Sequence, residues 1–166
     1  MKEVIIGVGN VLKGDDGIGV YVAEKLKEYI KKVEQRSKED KIGGRIGMVV
    51  AINCGTTPEN YTSIIRKSSP DRLILVDAAD LGLSPGSYRI IPSEKLGVMC
   101  ISTHNMPLSL FKSYVDQFCQ DIVLVGIQPE RMDFNVTLSS AVRRGGDQIV
   151  KLIIEERLSE IEVLKE

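Results

Sequence analysis

Residues 4–8, Val4-Ile5-Ile6-Gly7-Val8, are apolar throughout and stop at Gly9-Asn10. A short run with no polar alternation, closed by glycines, is the pattern of a strand buried on both faces. We therefore place a first strand over Met1–Val8. Such strands belong mostly to parallel sheets, and a parallel neighbour needs a long crossover, usually a helix. The next segment supplies one: Ile18, Val22, Leu26 and Ile30 form a helical stripe from Ile18 to about Val33.

The alternation continues. Charged Arg36–Arg45, with Gly43-Gly44, reads as an exposed loop or frayed helix end. Ile46–Ile52 is a second strand, ending at Asn53-Cys54-Gly55-Thr56. Thr57-Pro58-Glu59-Asn60 resembles a helix start with Pro in the first turn, and a short helix reaches Lys67. The third strand is Arg72–Asp77. After a turn-rich Asp80–Gly86, Ser87–Ile91 is a short strand whose connection is too short for a crossover, so it is expected antiparallel. Pro107 to about Gln117 is helical, Asp121–Ile127 is a strand, and Ser139 to about Val163 is a long amphipathic helix that Ser139 or Ser140 could cap. Five strands interleaved with helices predict an α/β fold, a three-layer α/β/α sandwich, as a single domain over 1–166.

Composition narrows the functions. At 166 residues and 43% hydrophobic the chain can bury a good core, and a net charge of −1 argues against general nucleic-acid affinity. No apolar run reaches the roughly 18 residues of a membrane span, and no basic-then-apolar leader is seen, so a cytoplasmic location is expected. Cys54, Cys100 and Cys119 are odd in number and lack a C-x-x-C pair, which fits neither a disulfide framework nor a structural zinc site.

Chemistry gathers where strands end, the place at which open α/β sheets bind ligands. The first strand runs into Gly14-Asp15-Asp16-Gly17, the third ends in Asp77, and Ile101-Ser102-Thr103 leads to His104, the only histidine. Two strand-end carboxylates and one histidine make a candidate metal or acid/base site. Each has a plainer reading. Asp15 and Asp16 could be helix N-terminal carboxylates, one capping and the other facing the cleft. Asp77 could be a structural hydrogen-bond acceptor, Asp80 is a turn former, and His104 could be structural. Cys54 has no evident base beside it and reads as buried filler. Gly7-x-Gly9 after a strand suggests a dinucleotide loop, but Leu12 stands where the third glycine belongs. No acidic residue ends the second strand, and Asp15 and Asp16 would repel a phosphate. No G-x-S-x-G elbow is present.

Taken together, Gly7-Val8-Gly9-Asn10 with Gly14-Asp15-Asp16-Gly17, Val76-Asp77-Ala78, Thr103-His104-Asn105-Met106-Pro107-Leu108 and Gly126-Ile127-Gln128-Pro129 resemble the nickel–iron hydrogenase maturation endopeptidases, in particular the type that processes the hydrogenase 3 large subunit. Pro58-Glu59-Asn60, Leu81–Gly86 and Arg89-Ile90-Ile91 agree, and the likeness covers roughly residues 3–155. The resemblance implies a twisted, mostly parallel five-stranded sheet between helix layers. It implies an endopeptidase that removes a C-terminal extension from the hydrogenase large-subunit precursor after nickel insertion. It assigns metal binding to Asp16, Asp77 and His104; as an alternative to chemistry on the nickel, Asp16 or Asp77 could serve as general base. The nickel is carried by the precursor and is not a permanent cofactor of the free enzyme.

Nickel accepts imidazole and carboxylate ligands, and two Asp and one His leave coordination positions for groups on the precursor. The hydrolytic step stays open between nickel acting as Lewis acid and a carboxylate acting as general base. The family's second strand usually ends in Asp-Gly-Gly-Thr/Ser, whereas this chain has Asn53-Cys54-Gly55-Thr56. That departure keeps a second reading open, a nickel-checking binding module without cleavage. A third reading is an unrelated small-molecule hydrolase or nucleotide protein.

Overall fold

The computed structural model describes residues 1–40, 48–96 and 107–165. Strands β1 (Glu3–Val8), β2 (Val49–Gly55), β3 (Arg72–Ala78), β4 (Tyr88–Ile90) and β5 (Asp121–Ile127) form one sheet in the order β2-β1-β3-β5-β4. β2, β1, β3 and β5 are parallel, and β4 runs antiparallel to β5, as its short connection requires. The helices are α1 (Ile18–Asp40), α2 (Thr62–Lys67), α3 (Leu108–Val115) and α4 (Ser140–Ile154).

The apolar faces sort them into layers. Ile18, Val22 and Leu26 of α1 and Val142, Ile149 and Ile153 of α4 pack with Ile74, Val76 and Val125 on one face of the sheet. Ile65 of α2 and Leu108, Phe111 and Val115 of α3 pack with Leu73, Leu75 and Leu124 on the other. The expected three-layer arrangement with one short antiparallel strand is the one observed.

Four boundaries differ from expectation. α1 continues to Asp40, beyond Val33, because the polar residues after its apolar stripe are mostly good helix formers that need no buried face. β2 begins later and runs through Gly55, so Asn53 lies inside the strand. The register pairs Gly7 with Asn53 and Val8 with Gly55, leaving Cys54 as the extra residue of a bulge. Between β2 and α2, Pro58–Tyr61 forms a 3-10 turn.

The last helix ends at Ile154 and not near Val163. Glu156 adopts φ +58°, which stops the helix. The following chain lies along β4, with the Ile90 amide donating to the Glu162 carbonyl (2.9 Å) and the Leu164 amide to the Ile90 carbonyl (2.8 Å). The segment after Glu156 is therefore not a continuation of the expected long helix. It buries Leu158, Ile161 and Leu164 and covers a sheet edge that would otherwise be open. The expected segment 101–103, His104, Cys100 and residues 41–45 of the expected loop 36–45 lie outside the described residues, while 36–40 belong to α1. Among the described residues no helix is long and apolar enough to cross a membrane.

Candidate active site

The strand order places a topological switch between β1 and β3. The crossover after β1 leads to β2 on one side, and the chain after β3 proceeds to β5 and β4 on the other. In open parallel sheets the crevice at the carboxyl ends of two such strands receives the ligand. The acidic turn Gly14–Gly17 follows β1 and packs against β3, and Asp77 sits near the end of β3.

Two glycines make that close approach possible. A methyl group at Gly19, in the first turn of α1, would stand 2.2 Å from the Val76 carbonyl oxygen and 2.4 Å from that of Val8. Only a bare Cα lets the start of α1 sit over both strand ends. Gly9 has φ +147°, and a methyl there would stand 1.9 Å from the Asp16 carbonyl oxygen. The backbone room that a dinucleotide loop would give to a pyrophosphate is filled here by the chain's own acidic turn.

The two neighbouring carboxylates have separate tasks, and both are fully buried. Asp15 Oδ2 accepts the amides of Glu130 (2.8 Å) and Arg131 (2.9 Å) and the Ser139 hydroxyl (2.7 Å), while Oδ1 accepts the Ser139 amide (2.7 Å). Burial pushes this carboxyl up, but the amides of Arg131, Ser139 and Glu130 and the Ser139 hydroxyl outweigh it and hold it below its ordinary value. Asp15 thus fastens the acidic turn to the β5–α4 connection and is not the helix cap considered above. Ser139 occupies the N-cap position of α4, yet its hydroxyl goes to Asp15, so the expected cap bond to the helix is absent.

Asp16 Oδ2 accepts the Asn10 amide (3.1 Å), closing the loop between β1 and the turn. Asp77 Oδ1 accepts the Ala78 amide (2.8 Å). By strand alternation the Asp77 side chain shares the sheet face of Leu75, on which α3 packs. Asp16 and Asp77 are therefore brought to one end of the sheet at the switch point. His104, the third expected ligand, lies outside the described residues. Among the described residues no three His, Cys, Asp or Glu side chains are grouped to hold a metal ion.

The departure at the end of β2 has a local explanation. Asn53 Oδ1 accepts the Gly55 amide (2.9 Å), and its Nδ2 donates to Glu24 Oε1 of α1 (3.1 Å). An aspartate could keep the first bond but would set its charge against Glu24. Asn53→Asp is expected to cost about 1–3 kcal/mol of stability at neutral pH. Chemical denaturation should show the cost shrinking when Glu24 is also changed to Gln. Cys54 is buried among Val8 and Ile65 in the core, and burial with the nearby Glu59 charge pushes its thiol up to about 12. At neutral pH it is a protonated, apolar filler and strains no turn, since the positive φ falls on Gly55.

One organising residue was visible only as part of a motif. Gln128, just after β5, accepts the Leu81 amide through Oε1 (2.6 Å), and its backbone carbonyl accepts the Gly86 amide (2.9 Å). It fixes the loop that follows Asp77. Asp80 Oδ1 accepts the Gly82 amide within that loop, the turn role expected of it.

A mostly parallel open sheet with buried Asp16 and Asp77 at the carboxyl ends of its central strands places the chain among the α/β proteins with a site at a topological switch point. The comparisons make the class specific. Residues 20–156 match the family model HycI, hydrogenase maturation protease. The hydrogenase 3 maturation protease of Escherichia coli K12 is 34% identical over 144 residues, covering 86% of this chain and 83% of that protein. The solution structure of the endopeptidase HycI from Escherichia coli superposes with a TM-score of 0.78 at 30% identity, covering 99% of this chain and 97% of the other. The crystal structure of a [NiFe] hydrogenase maturation protease HycI from Thermococcus kodakarensis gives 0.76 at 32% identity, covering 94% and 92%. The chain belongs to the hydrogenase maturation protease family and is an endopeptidase of that family.

Proposed function

We propose that this chain removes a C-terminal extension from the large-subunit precursor of a nickel–iron hydrogenase once nickel is in place. In this reading it detects that nickel through Asp16, Asp77 and His104. The observation that carries the reading is the pair of fully buried carboxylates, Asp16 on the turn after β1 and Asp77 near the end of β3, at the switch point of the sheet of a hydrogenase maturation protease. Each accepts a backbone amide, from Asn10 and Ala78 respectively, and a divalent cation brought by a partner is a fitting further ligand for two such carboxylates. His104 stands four residues before Leu108, whose α3 packs on the sheet face that Asp77 shares. A set of two carboxylates and an imidazole suits nickel and leaves positions for ligands the precursor already supplies.

The metal is cargo of the substrate, so the enzyme needs no metal of its own to fold. Water attacks the scissile carbonyl, and the products are the mature subunit and a short peptide. The test is cleavage of the cognate precursor, nickel-loaded against nickel-free, by the wild type and by His104→Ala. Truncation of the loaded precursor only, lost in the variant, is the expected result. Equal cleavage of both precursors would sink nickel recognition. A loaded precursor that binds but is never cut would favour the nickel-checking binding module.

A further inference from the structure

Asn10–Lys13 is a tight turn, closed by the Lys13 amide donating to the Asn10 carbonyl (3.1 Å). Its two central residues are Val11 and Leu12, 61% and 63% exposed. Turn centres favour Gly, Pro, Asn, Asp and Ser, and a β-branched residue beside a leucine is a costly choice for a purely structural turn. The backbone is occupied inward. The Leu12 amide donates to Asn10 Oδ1 (2.9 Å), the Leu12 carbonyl accepts the Asn135 amide (3.1 Å), and the Asn10 amide donates to Asp16. The side chains of Val11 and Leu12 are left to project outward.

A third large apolar side chain stands close by. Phe134 is 64% exposed on the β5–α4 connection, held to the turn by the Asn135 bond and by Lys13 Nζ, 5.4 Å from the ring centroid. Asp15 locks the same two segments together from below. The result is a preorganised apolar knob of Val11, Leu12 and Phe134. It forms the rim of the Asp16 turn: a methyl at Gly17 would stand 3.0 Å from the Val11 Cα.

We propose that this knob docks the folded body of the precursor protein, entering an apolar depression on its surface beside the segment to be cut. This rests on the function proposed above. Two observations select the occupant. The knob is continuous with the Asp16 turn, so a protein presenting a bond there meets it at the rim. A convex turn tip fits a concavity in a folded partner and offers no groove to an extended peptide. Adjoining exposed apolar side chains beside a site mark protein interaction surfaces, and an aromatic such as Phe134 is a type enriched there.

The test uses the full chain with Leu12→Ser, Phe134→Ser and, as a control at a distant exposed site, Tyr29→Ser. Cleavage of nickel-loaded precursor is followed by initial rates, and binding of the same precursor by calorimetric titration. Each knob variant is expected to raise KM and Kd about tenfold, with kcat within twofold, and the control to change neither. Unchanged KM and Kd, or a fall confined to kcat, would overturn the docking role. Sedimentation of the enzyme alone adds another arm: self-association lost in the knob variants would assign the patch to a second copy and also overturn it. A wild type that fails to cut the precursor would defeat the parent reading, while the titration would still decide the docking surface.

Discussion

Asp77→Asn is expected to reduce cleavage of nickel-loaded precursor by at least about 10²–10⁴-fold, the range lost with a general base. The variant keeps the shape and the acceptor oxygen that takes the Ala78 amide, so the strand end should survive. What it removes is charge, at a fully buried position. Activity should therefore fall far more than stability, a split that a purely structural aspartate would not give. Circular dichroism melts beside the cleavage rates check this. The same variant separates the two routes to hydrolysis. If nickel activates the carbonyl or the water, Asp16→Asn and Asp77→Asn should weaken binding of the loaded precursor and its cleavage together. If one carboxylate is the base, that variant should bind the loaded precursor nearly as wild type and lose kcat alone. Equal activity of Asp77→Asn and wild type would remove Asp77 from the site.

The position of Asp77 at a strand end was legible in the sequence because its context is one-dimensional. An apolar run that ends in a carboxylate, preceded by residues too apolar to face water, describes a buried strand delivering a charge to the carboxyl end of the sheet. The layered fold was legible for the same reason, since buried strands and striped helices each reveal themselves over a few residues. The division of labour between Asp15 and Asp16 was not, because the partners of Asp15 lie at Glu130, Arg131 and Ser139, more than a hundred residues away. The end of α4 misled for a related reason. Leu158, Ile161 and Leu164 continue a roughly helical spacing, yet they are buried by a chain turned back along β4. Period alone does not say which surface a stripe will meet. At β2, Asn53 read as a terminus because Asn and Gly mark turns. Its side chain does make a local turn by accepting the Gly55 amide, and the strand continues past it through a bulge.

Removing the Asp15 carboxylate should be the most damaging single change outside the hydrophobic core. Asp15→Ala leaves the amides of Glu130, Arg131 and Ser139 facing an empty space, and each buried donor left unmet costs about 1–3 kcal/mol. A loss of about 3–5 kcal/mol is expected, a large share of the roughly 5–15 kcal/mol that holds a domain of this kind together. Asp15→Asn should do little better, because all four groups around the carboxylate donate and an amide nitrogen would set a fifth donor among them. Ser139→Ala removes only the hydroxyl and should cost about 1.5–3 kcal/mol. The pH dependence has a definite sign. The folded carboxyl is held below its ordinary value, near 3.8, so its stabilisation is complete above that value and is lost as pH falls through the lower folded value. Denaturation midpoints measured from neutral pH into acid should therefore drop steeply for the wild type and much less for Asp15→Asn. Because Asp15 ties the turn bearing Asp16 to the segment bearing Phe134, its loss frees the carboxylate and the docking knob together. The variant should lose cleavage under conditions where it remains folded, and stabilising the fold elsewhere should not restore it. A variant as acid-sensitive as the wild type would show that the network contributes nothing through Asp15, and full activity in the folded variant would uncouple it from Asp16.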